Sequence, residues 1–282
     1  MHAKLNSDRK IGVVFSSGFF GFFAHAGFLS ALRQAGIHPG AWAGSSSGAI
    51  VAAFAASGMD DAAIKDYLFR VKLKDFWDPD PWWRVAAKVI KGFKGFSGYL
   101  KGEGFARLMD ILPAKTFEEC RWPLAIAATN LTLRRETIFT RGNLAKAVCA
   151  SGAVPMLFRP VEVDGCLYVD GGVTSKAPIM GLLRVTRPDI IIIHYIASRN
   201  VEKKENGFLQ KIFTPWFIHD TAFDIARFES YGYQKTLAEK MGIEIIEIGT
   251  HAPHVGPKSL GGGPFAYEEA RLETLKALGK KQ

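Results

Sequence analysis

A serine between two glycines, in Gly44-Ser45-Ser46-Ser47-Gly48, fits the pattern G-x-S-x-G with Ser46 at its centre. A serine hydroxyl is a weak nucleophile until a base takes its proton. It must also stand clear of the backbone to reach a carbonyl. A sharp strand-to-helix turn achieves this by pushing the hydroxyl out of the sheet, and the glycines on either side remove Cβ atoms that would clash in the bend. The flanking residues suit such a turn. Ala41-Trp42-Ala43 reads as a strand, small apolar residues run on to Ser57, and Gly58 is a helix stop. The start of that helix would point free N–H groups and a partial positive charge at a developing oxyanion. A bare Gly-Ser run is usually a loop, so the strand before and the helix after carry the functional reading.

Two further positions can join this chemistry. Asp170 stands directly before Gly171-Gly172, where a carboxylate can be held in a tight turn and take the proton of Ser46. On its own, Asp-Gly-Gly is an ordinary turn. Earlier, residues 16–21 form a loop with glycines at Gly18 and Gly21 that can present backbone N–H groups to an oxyanion. Preorganised donors of that kind each contribute about 3–4 kcal/mol to acyl transfer.

The elements that must position these residues are legible in outline. Residues 11–15 read as a buried strand and 24–35 as a helix, so the chain opens with two strand–loop–helix units. Such units predict an α/β fold with a parallel sheet and crossover helices. Strands are expected at 123–130, 136–140, 190–197 and 243–248, and helices at 143–150 and 265–278. Asp164-Gly165 between two apolar runs predicts a hairpin. Residues 200–207 read as a charged loop and 208–241 as partly helical. Residues 60–121 break the pattern with Lys, Asp and aromatics, and read as a helical insertion or lid. Within it, 82–96 has the spacing of a basic amphipathic helix, with Lys88, Lys91 and Lys94 beside Trp82 and Trp83. That pattern suits either a lipid–water interface or the core and solvated face of a lid.

The 282 residues are 48% hydrophobic, enough for one large domain, and carry a net charge of +9. No block of Lys and Arg occurs, and the aromatics follow no RNA-binding pattern, so nucleic acid is not an expected partner. Three widely spaced cysteines fit a reducing compartment. No metal-ligand spacing or acidic calcium loop is present, and no cofactor is expected. The polar first ten residues predict no signal peptide, and no apolar run has membrane-span length. A cytoplasmic protein that touches a membrane from that side is the expectation.

The chain resembles the patatin-like phospholipases from about residue 12 to residue 179. Four blocks carry the resemblance: FSSGFFGFFAHAGFL at 15–29, the serine turn at 44–48, ASGAVPMLFRP at 150–160 and DGCLYVDGGVTSKAP at 164–178. The resemblance implies a three-layer α/β sandwich with a mostly parallel central sheet, one hydrolase domain over residues 1–282, and a lid-like insertion. It implies a Ser–Asp dyad of Ser46 and Asp170 without histidine, an oxyanion hole of Gly18 and Phe19 N–H groups, and a structural role for His25. Gly44, Gly48, Gly171 and Gly172 would shape the two turns. The implied substrate is a phospholipid or another fatty-acyl ester.

Three positions depart from the family pattern. Its first block usually holds three successive glycines and then an arginine. Here Ser17, Gly18, Phe19 and, at the arginine position, Gly21 stand instead. If Phe19 needs a positive φ, a non-glycine costs about 1–2 kcal/mol there. Lys176 replaces a common asparagine. Two other readings compete. One is an α/β-hydrolase with a Ser–Asp–His triad drawing on His194, His219, His251 or His254. The other is a hydrolase scaffold that acts only as a binding or regulatory module.

Overall fold

The computed structural model describes residues 9–90, 92, 94, 96–196, 215–251, 253 and 255–280, excluding the side chains of 87–89 and 215–220. β1 (Ile11–Phe15) runs through a loop into α1 (Phe22–Gln34), and β2 (Ala41–Ser45) turns at Ser46 into α2 (Ser47–Ala56). The insertion holds α3 (Asp61–Arg70), α4 (Leu73–Phe76), α5 (Trp82–Ile90), β3 (Gly98–Leu100) and α6 (Glu103–Met109). Then come β4 (Leu124–Asn130), β5 (Arg135–Phe139), α7 (Leu144–Ser151), β6 (Met156–Phe158), β7 (Val161–Val163) and β8 (Cys166–Val169). A 3-10 turn at Gly171–Val173 leads to α8 (Ile179–Leu182), β9 (Ile190–Ile196), α9 (Pro215–Lys240), β10 (Glu244–Thr250) and α10 (Gly263–Ala277).

The main sheet has the order β10-β9-β1-β2-β4-β8-β7, with β5 also paired to β4. The first five strands are parallel and the β4–β8, β7–β8 and β4–β5 pairs are antiparallel. β9 shows why the sheet is buried on both sides. Ile190 and Ile192 pack toward one face, Ile191 and Ile193 toward the other. A continuous apolar run of this kind marks a strand covered by helices above and below. α1, α2, α7 and α10 share the core of one face, and α8 and α9 that of the other, which gives the three layers. α10 lies very close to α1: a Cβ on Gly27 would sit 2.0 Å from the Tyr267 carbonyl. α2 is buried along its whole length, as a sequence without a charged residue requires.

The hairpin expected at Asp164-Gly165 is present, with φ of 49° and 73°. Positive φ at both central residues matches the right-handed twist of the strands. The short β3 and β6 were not expected; they pair in parallel through Gly98–Met156 and Leu100–Phe158 and form a second small sheet. α5 covers the first nine residues of the expected amphipathic helix, while 91, 93 and 95 lie outside the described residues. So do the side chains of Lys88 and Val89, and the loop expected at 200–207. The insertion's aromatics divide. Phe76 joins a buried cluster with Leu100 and Phe158, and Trp77 packs against it. Trp82 and Trp83 are 81% and 55% exposed, so they do not form a lid core. Among the described residues no helix is long and apolar enough to cross a membrane.

Candidate active site

Ser46 sits at the tip of the β2–α2 turn with φ 54° and ψ −123°. A non-glycine there costs roughly 1–3 kcal/mol, and the surrounding packing must enforce it. The enforcement is visible. A Cβ on Gly44 would lie 2.4 Å from the Gly48 carbonyl, and one on Gly48 would lie 2.6 Å from the carbonyls of Phe15 and Ser16. Backbone therefore packs directly on backbone, which only glycine permits. From α7, the Ser151 hydroxyl accepts the Ser46 N–H at 2.8 Å. Ser151 lies inside one of the sequence blocks, but its partner could not be read there.

Asp170 follows β8. Its N–H donates to the Ala153 carbonyl, and its own carbonyl accepts from Thr129 Oγ1, both at 2.9 Å. Its Oδ1 accepts the Gly172 N–H at 2.6 Å, and its Oδ2 accepts the Ser46 hydroxyl at 2.5 Å. Gly171 and Gly172 let this turn close: a Cβ on Gly171 would meet the Ala127 carbonyl at 2.1 Å, and one on Gly172 would meet Ser17 Cβ at 2.7 Å. Burial pushes the Asp170 pKa up to about 6. The bonds from Ser46 and Gly172 and the charges of Arg227 and Lys176 restrain the rise. A buried carboxyl titrating in that range can both take and return a proton near neutrality.

The loop after β1 is anchored on both sides. Ser16 N–H donates to the His194 carbonyl at 3.1 Å, Ser17 N–H to the Lys176 carbonyl at 2.7 Å, and Gly21 N–H to the Gly18 carbonyl at 2.9 Å. The Gly18 N–H has no partner among the described residues. The positive φ falls on Phe20, at 52°, and not on Phe19. The reason is packing, since the Phe20 ring meets Phe19, Phe22 and Phe76 and holds that residue in place. At Gly21 a Cβ would lie 2.2 Å from Ile196 Cδ1 and 3.1 Å from the Gly18 carbonyl, so a side chain there requires the Ile196 side chain to move aside.

His25 and His194 meet under this loop, a pairing no spacing in the sequence shows. Their Nδ1 atoms are 2.7 Å apart. His25 Nε2 lies 2.9 Å from the Ser16 carbonyl, and His194 Nε2 lies 3.0 Å from Thr250 Oγ1. A carbonyl can only accept, so His25 donates from Nε2 and offers the lone pair of Nδ1. His194 then donates from Nδ1 and accepts from Thr250. Both rings are fully buried, and burial lowers His25 to about 3 and His194 well below its ordinary value. Both nitrogens of His194 are engaged away from the Ser46–Asp170 pair. His251 stands beside Glu273. The side chain of His219 and all of His254 lie outside the described residues.

A half-open cleft lies beside Ser46. Apolar side chains line it almost throughout, among them Phe19, Phe20, Ile50, Leu68, Phe105 and Leu157. The loop after β1, α2 and the helical insertion all contribute lining residues. Among the described residues no three His, Cys, Asp or Glu side chains lie together as a metal site.

The sequence pattern of the patatin-like phospholipases matches residues 13–183. The chain belongs to the patatin-like phospholipase family. An uncharacterized NTE family protein of Mycobacterium bovis is 29% identical over 177 residues, 62% of this chain and 46% of that protein. Lysophospholipase NTE1 of Cryptococcus neoformans is 29% identical over 202 residues, 71% of this chain and 12% of that one. The chain thus spans less than half the length of these curated relatives. VipD from Legionella pneumophila shares the fold at a TM-score of 0.53 and 15% identity, over 97% of this chain and 67% of that one.

Proposed function

We propose that this chain hydrolyses fatty-acyl esters, of phospholipids or lysophospholipids, through a Ser46–Asp170 dyad. The observation that carries this reading is the 2.5 Å bond from Ser46 Oγ to Asp170 Oδ2 at the edge of an apolar cleft. Asp170 takes the hydroxyl proton as Ser46 Oγ attacks the ester carbonyl. The N–H groups of Gly18 and Phe19 stabilise the tetrahedral oxyanion. Collapse breaks the ester C–O bond, the leaving alkoxide receives the proton from Asp170, and the acyl group stays on Ser46. Asp170 then deprotonates a water that attacks the acyl-enzyme; collapse breaks the bond to Ser46 Oγ, Asp170 returns the proton to that oxygen, and the fatty acid leaves. The cleft takes the acyl chain, each buried methylene contributing about 0.8 kcal/mol. The exposed Trp82 and Trp83 give the insertion a peripheral contact with a lipid surface.

Fatty-acid release from a panel of phospholipids, lysophospholipids and simple esters tests the reading. Ser46→Ala should abolish release in a protein that keeps its melting temperature, while Ser45→Ala and Ser47→Ala retain it. An active Ser46→Ala protein would exclude the mechanism.

A further inference from the structure

We propose that Lys176 is a positioning residue for the oxyanion hole, acting through the Ser17–Gly18 peptide. The inference rests on the reading of Ser46 and Asp170 as a hydrolytic dyad. Lys176 Nζ donates to the Ser17 carbonyl at 2.7 Å, and the Lys176 carbonyl accepts the Ser17 N–H at 2.7 Å. The two residues therefore grip each other twice. The Ser17 carbonyl and the Gly18 N–H belong to one peptide unit. That unit is planar and trans, so its C=O and N–H point in opposite directions. A cation seated on the carbonyl fixes the plane and hence the direction of the N–H. It also draws electron density toward the oxygen, which makes the N–H a stronger donor. The Gly18 N–H, unpartnered among the described residues, is the group expected to meet the oxyanion.

The ammonium's surroundings concentrate it on this carbonyl. Lys176 is 5% exposed and lies over the rings of Tyr195 and Phe228, at 5.1 and 5.6 Å from their centroids. Asp224, from α9, is paired with Arg227, and the Asp170 oxygens are taken by Ser46 and Gly172. The titratable and charged groups facing Lys176 are thus Asp170 on the neighbouring turn, Asp224 and Arg227 on α9, Tyr195 on β9 and His25 on α1. Burial is the largest influence and, with the Arg227 charge, lowers the Lys176 pKa to about 8. A neutral amine still donates, but without charge assistance, so oxyanion stabilisation should weaken above that pH.

The test is the pH dependence of kcat and KM for a soluble ester, from about pH 5 to about pH 10. It is run on the wild type, Lys176→Met and Lys176→Arg, with melting curves to establish folding. In the wild type, kcat should fall about tenfold on the alkaline side with a midpoint near 8. Lys176→Met should lose that limb, with kcat lowered roughly 10- to 100-fold and KM within about twofold. Lys176→Arg keeps a permanent cation and should recover most of kcat while also lacking the limb. An unchanged alkaline limb in Lys176→Met overturns the proposal. So does a wild-type profile without any alkaline limb, which needs no variant to fold. Turnover that does not depend on Ser46 overturns the dyad reading itself. Ser46-dependent turnover with an unchanged limb overturns only the role of Lys176.

Discussion

Two buried ionisable clusters flank the same loop, and burial has treated them differently. Beneath Ser16, His25 and His194 are sealed and joined only to each other, a carbonyl and a hydroxyl. The Ser16 carbonyl is the one group that favours a charge on His25, burial outweighs it, and both rings stay neutral at any ordinary pH. Beside Ser17, Asp170 and Lys176 are also buried, yet each has counter-charges within reach: Arg227 and Lys176 for Asp170, and Asp224 and Asp170 for Lys176, the latter set against the Arg227 charge. Their pKa values sit near neutrality, at about 6 and about 8. Desolvation alone makes scaffold. Desolvation opposed by hydrogen bonds and counter-charges makes a group that can respond to a substrate.

The sharpest way to break this contrast is Asp170→Asn. The amide keeps the shape but cannot accept a full proton. Turnover should fall by roughly 10²- to 10⁴-fold, read as kcat on a soluble ester. The same change should stabilise the fold. Asp170 holds its proton more tightly folded, at about 6, than unfolded, near 3.8. Its stabilising contribution is therefore complete below the lower value and lost as pH rises through the upper one. Above pH 6 the charged carboxylate costs roughly 2–4 kcal/mol, which the neutral amide removes. The melting temperature at neutral pH should rise by roughly 3–7 °C. An unchanged or lower melting temperature would contradict a desolvation cost on the Asp170 carboxylate.

His25→Ala attacks the silent cluster. It leaves the Ser16 carbonyl and the His194 Nδ1–H unpaired and opens a void. A loss of about 3 kcal/mol should appear in denaturant titration. The sign with pH is opposite to that of Asp170. Folded His25 resists the proton that the unfolded chain accepts at 6.5, so wild-type stability should decline as pH falls below that value. In His25→Ala the decline should be shallower, while both pH midpoints of kcat stay in place. A shifted midpoint would mean that the two clusters are coupled.

The smallest effect lies outside both clusters. Replacing Trp82 and Trp83 by alanine should weaken cosedimentation with anionic vesicles about tenfold, or about 1.4 kcal/mol. Turnover of a soluble ester should not change. Equal vesicle binding would remove the insertion from any role at a lipid surface.

The parts of the site legible in sequence are those fixed by local sterics. Gly44 and Gly48 are needed because backbone meets backbone within one turn, so the motif announces the geometry. Asp170 is legible for a similar reason, since Gly171 and Gly172 close its turn against β4 and the loop after β1. The parallel sheet follows from apolar runs alternating with helical stretches. What was not legible depends on register between distant strands. His25 meets His194 only because Phe15 lies opposite His194 where β1 pairs with β9. Lys176 read as an unexplained departure because its partner, Ser17, lies far away in sequence. The positive φ of this loop falls on Phe20 rather than Phe19, and three aromatic neighbours hold it there. β3 and β6, at three residues each, are too short for any periodicity to show.

The position of β9 sets a limit on how far the chain can be shortened. The family pattern ends at residue 183, before β9 begins, yet β9 and β10 complete the sheet on the open side of β1. A truncated protein ending there would carry every block of the motif and still expose the β1 edge, with its N–H and C=O groups unpaired. It would also bare Phe23 and Gly27, which α10 now covers. Unprotected edges of this kind recruit strands from other molecules. Such a fragment is expected to precipitate on expression rather than hydrolyse slowly. The family pattern stops at residue 183, and the sheet with its helical cover runs on to α10.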